Sequence, residues 1–290
     1  MPRLTTAVAH LLQPSDPAPT PTAPLAVQFW GTAGFRVHAA GTHVWLDPHF
    51  SRHSLRELVM GPIAPRENLV RASVDRADAV CVGHSHFDHA LDAPVIARDH
   101  GARVYGSSDT LHWCRSYGVP EAQLLELVGA GETHDEGAVR IRAVRSEHSP
   151  LFLGKVPFPG RITGPLPWPA PMSAWRVGQV FGLHLTTPGG TLYHLGSAGL
   201  IDAELEGVTC DVALLCTIGR HATLRFVERA LDLLRPKLVI PCHWDQFWRP
   251  LAEPRRQIPG NDLEGFMAQV RGHASRPEVR LLDVGGWWVA

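Results

Sequence analysis

The stretch AVCVGHSHFDHA, residues 79–90, carries most of the information in this sequence. An apolar run ends at Gly83, and four residues able to bind a metal ion follow within six positions: His84, His86, Asp88 and His89. A strand end is a rigid base, and the loop leaving it can turn the first two histidines towards one point while the Asp-His pair faces a neighbouring one. A solvated loop that is merely rich in histidine explains this spacing after a buried strand poorly.

The residue types in this motif narrow the choice of metal. Imidazole and carboxylate groups suit zinc, and they also suit manganese and iron. We therefore expect one or two Zn²⁺ ions, with Mn²⁺ or Fe²⁺ as the alternatives.

The rest of the chain divides into an extension and one domain. Residues 14–24, PSDPAPTPTAP, are rich in proline and small residues, so residues 1–24 are interpreted as an N-terminal extension with a Pro-rich linker. Residues 25–290 are predicted to form a single hydrolase domain, for which 44% apolar residues can supply a large core.

The order of apolar runs predicts the fold class. Short runs at 25–30, 35–39 and 43–46 are separated by glycines and predict an antiparallel meander. After residue 79 strand patterns alternate with helix patterns, including a helix over 91–100 and another over 108–117. The second half repeats this order, ending with a helix over 222–234 and a strand at 238–241. Two such halves predict an α/β fold with four αββα layers, sheet packed on sheet with helices outside.

The motif also resembles a known family. His84-Ser85-His86-Phe87-Asp88-His89 matches in full the HxHxDH signature of the metallo-β-lactamase superfamily, and the likeness covers the chain from Leu25 onwards. The resemblance implies that a first metal is held by His84, His86 and His148, and a second by Asp88, His89 and His243. It also implies that Asp47, in VWLDPHF, orients one of these ligands from behind.

One position departs from the family pattern. The carboxylate that usually bridges the two metals corresponds here to Ser197 in YHLGSAGL, and a protonated hydroxyl is a poor, uncharged ligand. Three outcomes follow: one firmly bound ion, two ions bridged only by hydroxide, or a fold that has lost the reaction. Asp202, five residues further on, is a weaker substitute because the chain would have to turn back.

The ligand set indicates metal-assisted hydrolysis. Three neutral imidazoles leave the charge of an ion undiminished and a coordination position free for water, whose pKa then falls from 15.7 to about 7. Asp88 is the expected catalytic group that orients this water or accepts its proton. His221, with Arg220, is the expected contact for an anionic group, although a helix-capping surface loop explains this segment equally well. His49 and Asp245 are expected to support the site from behind.

Substrate and partners are less sharply defined. The segment DLLRPKLVIPCHWDQFW resembles the branch containing ascorbate-phosphate lactonases and N-acyl phosphatidylethanolamine phospholipase D, which implies an ester, lactone or phosphodiester substrate. The loop 150–175 has four aromatic residues that could give the pocket an apolar roof, or simply pack: Phe152, Phe158, Trp168 and Trp175. The alternatives on the same fold are a non-catalytic metal-binding or ligand-sensing protein, an iron dioxygenase acting on a persulfide, and an RNA-processing nuclease.

Composition excludes some partners. With 27 Lys plus Arg against 28 Asp plus Glu, the chain offers no overall charge for nucleic acid or an anionic membrane. It has neither a transmembrane segment nor a signal peptide pattern, and its five cysteines form no CxxC pair, so we expect a cytoplasmic protein with reduced thiols. A small-molecule substrate is the expected partner, and a homo-oligomer stays open.

Overall fold

The computed structural model describes residues 20–151 and 153–290, so residues 1–19 of the predicted extension and Phe152 lie outside the described residues. The strands are β1 (Ala26–Gly31), β2 (Gly34–Ala39), β3 (Thr42–Leu46), β4 (Pro62–Ile63), β5 (Ala79–Cys81), β6 (Arg103–Gly106), β7 (Leu124–Glu126), β8 (Ala130–Glu136), β9 (Val139–Ser146), β10 (Ala170–Pro171), β11 (Val180–Thr187), β12 (Gly190–Leu195), β13 (Val212–Cys216), β14 (Leu238–Cys242), β15 (Glu278–Val279) and β16 (Trp287–Val289). The α-helices are α1 (Leu55–Met60), α2 (Glu67–Ser73), α3 (Phe87–Ala90), α4 (Ala93–His100), α5 (Ser108–Ser116), α6 (Asp202–Leu205), α7 (Phe226–Leu234) and α8 (Leu263–Gly272).

Fourteen of these strands form two seven-stranded sheets with the same plan, and β4 pairs with β10 in a small separate sheet. The first has the order β16-β1-β2-β3-β5-β6-β7 and the second the order β15-β14-β13-β12-β11-β9-β8. In each sheet a hairpin-connected antiparallel part meets a parallel part, at β3 and β5 in one and at β12 and β13 in the other. Parallel strands need crossover connections, which explains why helices enter the chain order only where the parallel strands begin.

The two sheets pack face to face, and helices cover their outer faces. Phe29 and Phe35 of the first sheet meet the second at Trp244 and His194, with ring centroids 6.1 and 5.7 Å apart. On the outside, α4 and α5 pack on β5, β6 and β7, while α8 packs on β14 and β15. The predicted four-layer αββα sandwich is confirmed.

Individual elements differ from the predictions where the pattern was weak. Strand β8, AGETHDE, is a half-exposed edge strand with almost no apolar residues, so nothing in its sequence indicated a strand. The helix predicted over 222–234 begins at Phe226, not at residue 222, because residues 220–222 form a separate 3₁₀ turn and Arg225 has a left-handed φ of 47°. Helix α5 begins as predicted, with the Ser107 side chain accepting from the backbone of Thr110.

The last described strand belongs to the first sheet. Strand β16 pairs antiparallel with β1, with Val27 opposite Trp288, so Trp287 and Trp288 are part of the sheet edge. All five cysteines are buried and unbridged. Within the described ranges, no helix combines the length and apolar character needed to cross a membrane.

Candidate metal centre

The predicted ligands converge because they follow strands whose carboxyl ends share one edge of the sandwich. His84 and His86 lie just beyond β5, and α3 then carries Asp88 and His89. From the second sheet, His148 follows β9 and His243 follows β14 directly. The structure brings all six predicted ligands together in two adjacent groups of three.

The first group consists of His84, His86 and His148. One ring nitrogen of each lies within 4.8 Å of the others. Nε2 of His84 is 3.1 Å from Nδ1 of His86, close to the separation of about 3.4 Å expected for two nitrogens on one tetrahedral zinc ion. The His148 ring closes the third side, with its centroid 5.0 Å from that of His84 and 4.8 Å from that of His86.

The second group consists of Asp88, His89 and His243, whose ligand atoms also lie within 4.8 Å of one another. Oδ2 of Asp88 is 3.2 Å from Nε2 of His243 and 3.8 Å from Nε2 of His89. The two groups adjoin, since the rings of His84 and His89 lie 3.9 Å apart between centroids. This geometry fits two ions side by side, each with three protein ligands.

Hydrogen bonds behind the rings select the nitrogen that faces each group. His89 donates from Nδ1 to Oδ2 of Asp47 at 2.8 Å, which leaves Nε2 free to bind an ion. His148 is fixed in the same way by a 2.8 Å bond from Nδ1 to the carbonyl of Ser149. His86 is fixed in the opposite sense, because its Nε2 bonds the carbonyl of Pro157 at 3.0 Å and Nδ1 faces the site.

Asp47 has the position that the sequence predicted and an additional partner that it did not predict. Its Oδ1 accepts from the backbone of Gly83 at 2.7 Å, and its Oδ2 accepts from Nε2 of His194 at 2.9 Å as well as from His89. His194, buried on β12 in the second sheet, is the site residue that sequence reasoning missed. Its place in the apolar run TLYHL, three residues before Ser197, is the signal that could have identified it.

The backbone is strained at two of these positions. Asp47 and His243 have φ angles of 43° and 55°, and non-glycine residues adopt this region only when surrounding contacts hold them there. The backbone N–H of His243 donates to the carbonyl of Thr32 at 2.5 Å. Thr32 is in turn held by Asp245, whose Oδ1 accepts from its N–H at 2.7 Å.

Asp245 therefore acts on His243 through Thr32, in line with its predicted supporting role. Its other oxygen pairs with Arg52 at 2.6 Å, and both side chains are 1% exposed. Arg52 also donates to the Thr32 hydroxyl at 3.1 Å. This buried ion pair links the loop after β3 to the loop that carries His243.

The two groups differ in charge. Burial lowers the pKa of His84, lowers that of His86 to about 4 and lowers that of His148 to about 3, so the first group is neutral. Burial works to raise the pKa of Asp88, but His89 and His243 hold it well below its usual range. The neutral imidazoles of the first group can accept a divalent cation without first losing a proton. In the second group, burial works to lower the pKa of His89, but Asp47 and Asp88 raise it above its usual value, so this imidazole must release a proton when it binds an ion.

Ser197, the residue predicted to replace a bridging carboxylate, is buried beside the segment that carries His148. The Ser197 hydroxyl accepts from the backbone of Ser149 at 3.2 Å, next to His148. Gly196 packs so closely that an added Cβ would lie 2.4 Å from Oδ2 of Asp47. Asp202 begins α6 and pairs with Arg229 at 2.5 Å, which does not support a role as a substitute ligand.

The other predicted site residues have different surroundings. His221 is exposed on the turn 220–222, and its predicted role as a catalytic or substrate contact stays a prediction. The Arg220 guanidinium is buried over the ring of Phe266 and donates to Asp262, which favours a structural role over the predicted substrate contact. His49 is buried beside Phe87, and neither ring nitrogen has a hydrogen-bond partner in the described part of the chain.

Two of the predicted roof aromatics pack into the protein. Trp175 is fully buried and stacks on Trp113 with centroids 3.5 Å apart, and Trp168 packs edge-on against both. They form part of the core under the loop. Phe158 does face the site, with its ring centroid 6.4 Å from that of His86.

Comparison with known proteins agrees with this geometry. A model of the beta-lactamase superfamily domain matches residues 42–244, a range that runs from β3 past His243. The chain belongs to the beta-lactamase superfamily. Its relatives are named metal-dependent hydrolases, and the chain is a metal-dependent hydrolase of this superfamily.

Two of these relatives share the name UPF0173 metal-dependent hydrolase. The one from Myxococcus xanthus is 31% identical over 258 residues, which cover 86% of this chain and 78% of the relative. The one from Methylobacterium nodulans is 26% identical over 252 residues, with 85% and 95% covered. Among solved structures, Igni18, a metallo hydrolase from Ignicoccus hospitalis, has a similar fold, with a TM-score of 0.58, 22% identity and coverage of 91% and 97%.

Proposed function

We propose that this hydrolase cleaves an ester, lactone or phosphodiester bond at a centre of one or two zinc ions held by the two groups of ligands. The observation that carries the proposal is the agreement between ligand geometry and supporting bonds. In both groups the ligand atoms lie within 4.8 Å of one another, and the partners of His86, His89 and His148 leave the inward-facing nitrogen of each free. A hydrogen bond from a histidine to a backbone carbonyl does not by itself mark a ligand, since His184 makes one with Thr209 and belongs to neither group.

The chain's own residues divide the chemistry between them. A bound zinc ion would supply a water acidified to a pKa of about 7 and a positive charge for the oxygen that develops negative charge. Asp88, ionised and 6% exposed at the junction of the two groups, is placed to hold that water or to take its proton. Asp47 keeps His89 oriented, and the neutral first group leaves the charge of an ion undiminished.

The test is metal content measured together with turnover. Protein purified without added metal is analysed for metals per chain and assayed with bis-p-nitrophenyl phosphate, p-nitrophenyl butyrate and γ-butyrolactone. We expect His86→Ala to lose metal and turnover together, while His100→Ala, which alters a histidine outside both groups, keeps both. Full turnover by His86→Ala in metal-free buffer would contradict the proposal.

A second candidate function rests on Ser197. Without a bridging carboxylate the centre has one negative ligand fewer, so a metal-binding or ligand-sensing protein on the same fold is the alternative. Nearly two metals per chain with turnover favours a dinuclear hydrolase, and one with turnover favours a mononuclear one. Metal without turnover of any of the three substrate classes favours the sensor.

A further inference from the structure

An apolar groove of about 440 Å³ lies on the surface beside α1. One wall is formed by Leu58, Val59 and Met60 of α1, and the other by Phe158 and Met172. Among the described residues that line the groove, Ser173 is the one with a polar side chain. The groove therefore offers contact for hydrocarbon and no partner for a charged group.

The floor of this groove is fixed by backbone pairing. Strand β4 follows α1 after a single residue, Gly61, and pairs antiparallel with β10, with Pro62 opposite Pro171 and Ile63 opposite Ala170. The start of α1 is fixed as well, since Ser54 and Glu57 form a reciprocal capping box. The two walls are thus held at a set distance although they come from segments about one hundred residues apart in the sequence.

The wall of the groove that α1 forms is apolar, yet two of its side chains are largely exposed to solvent. Val59 is 76% exposed and Met60 is 77% exposed, while Leu58 beneath them is buried. Large apolar side chains left in water next to an apolar groove forgo the free energy that their burial would gain. An apolar molecule that filled the groove would recover part of this free energy, and methionine side chains adapt well to flexible chains.

The groove and the candidate metal centre adjoin at Phe158. This residue lines the groove, and its ring centroid lies 6.4 Å from that of His86. The preceding residue, Pro157, accepts the bond from Nε2 of His86 at 3.0 Å. A molecule in the groove that contacts Phe158 would therefore lie close to the first group of ligands.

We propose that this groove binds a linear hydrocarbon chain of the substrate and directs its ester, lactone or phosphodiester end to the metal centre. The inference rests on the proposed function for the reacting end, while the chain itself is recognised by the groove alone. The volume lies within the range of about 300–1,000 Å³ that small-molecule sites occupy. A second copy of this chain is the competing occupant, and it is an outcome of the test.

The test measures binding without turnover. Decanoate and butyrate are titrated by calorimetry into the protein as purified and into protein treated with a chelator. Each buried CH₂ adds a factor of about four to the affinity, and decanoate has six CH₂ groups more than butyrate. With about half of these six buried in the open groove, we expect decanoate to bind about 60-fold more tightly than butyrate in both preparations. The double variant Val59→Asp/Met60→Asp should weaken decanoate binding at least about tenfold and leave butyrate binding unchanged.

The matched control is Val289→Asp, the same chemical change at a 43% exposed position on β16. It should leave the affinity for both ligands unchanged. Equal affinity for decanoate and butyrate, or an undiminished preference in the double variant, would overturn the inference. So would a dimer that excludes decanoate and that the double variant dissociates, because a second copy would then occupy the groove.

Different experimental results would contradict the proposed groove and the proposed hydrolase function. Decanoate binding with no hydrolysis of p-nitrophenyl decanoate, p-nitrophenyl butyrate or the other substrates contradicts the proposed function alone. Hydrolysis of p-nitrophenyl butyrate and decanoate with equal kcat/KM, together with equal binding of the two acids, contradicts the groove alone.

Discussion

Asp47 accepts a hydrogen bond from Nδ1 of His89 across 2.8 Å, and this bond joins the end of β3 to the short helix of the metal motif. The same oxygen of Asp47 accepts from His194 on the opposite sheet. One buried carboxylate thus ties both sheets to a single candidate ligand. The carboxylate sets which nitrogen of His89 faces the site. Its removal should therefore lower the affinity for metal more than it lowers the stability of the fold.

Asp47→Asn is expected to weaken the binding of zinc at the second group by about 10- to 100-fold, because an amide holds the His89 ring less firmly than a carboxylate does. Competition with a chromophoric chelator measures this affinity. Asp135→Asn, which alters an exposed carboxylate paired with Arg140, is the control and should bind zinc as the wild type does. Unchanged affinity in Asp47→Asn would remove Asp47 from the supporting role.

Ser197→Asp is expected to raise the affinity for a second zinc ion at least about tenfold, because a carboxylate placed among these ligands adds negative charge between two cations. Metals per chain and a two-site titration measure the effect. Ser197→Ala, which removes the hydroxyl without adding charge, should keep the wild-type stoichiometry. No gain in Ser197→Asp would mean that position 197 cannot reach the ions.

Arg52→Met is expected to lower the free energy of unfolding by about 3–5 kcal/mol, because it leaves the buried Asp245 carboxylate without its cation. Urea denaturation of metal-free protein measures this loss. The double variant Arg52→Met/Asp245→Leu removes both charges and should recover much of the stability, although Thr32 then loses its partner. A double variant no more stable than the single one would contradict the assignment of the loss to unpaired charge.

The pH dependence of stability should carry a contribution from Asp92. Burial raises the pKa of this carboxyl to about 6, although the backbone N–H groups of Phe50 and Ser51 donate to it and oppose the rise. A folded pKa above the unfolded value of 3.8 stabilises the fold at low pH, and this contribution is lost as the pH rises through 6.

The free energy of unfolding of wild type minus that of Asp92→Asn should therefore fall by about 2–3 kcal/mol as the pH rises from about 4 to about 7. Subtracting the variant removes the contributions of the histidines, which titrate in both proteins. Urea denaturation across this pH range provides the values. A difference that stays constant with pH would show that Asp92 titrates alike in the folded and unfolded chain.

Much of the fold followed from the sequence because both sheets are built from short, strongly apolar runs. The weaker elements could not be predicted from local pattern. β8 is a polar edge strand whose pairing with β9 depends on a neighbour and not on its own residues. The start of α7 at Phe226 depends on the left-handed backbone of Arg225, a tertiary effect that helix propensity does not contain.

The candidate site divides in the same way. His84, His86, Asp88 and His89 could be named because they lie in one motif, and His148 and His243 because the family resemblance implies one ligand histidine for each metal later in the chain. His194 was missed because its partner Asp47 lies 147 positions away in the sequence, and its place in the run TLYHL is the one signal that marks it. For Trp168 and Trp175 the sequence allowed either an apolar roof or a packed loop, and their ring contacts with Trp113 favour the packed loop.

The pairing of β16 with β1 has a consequence for biosynthesis. Ala26 lies opposite Val289, so the outer strand of the first sheet comes from residues that leave the ribosome more than 250 positions after the strand that it covers. Until then the outer edge of β1, including Val27, presents unpaired backbone groups to other nascent chains. A chain stalled before Trp287 should therefore depend on chaperones, even though every candidate metal ligand has already been synthesised.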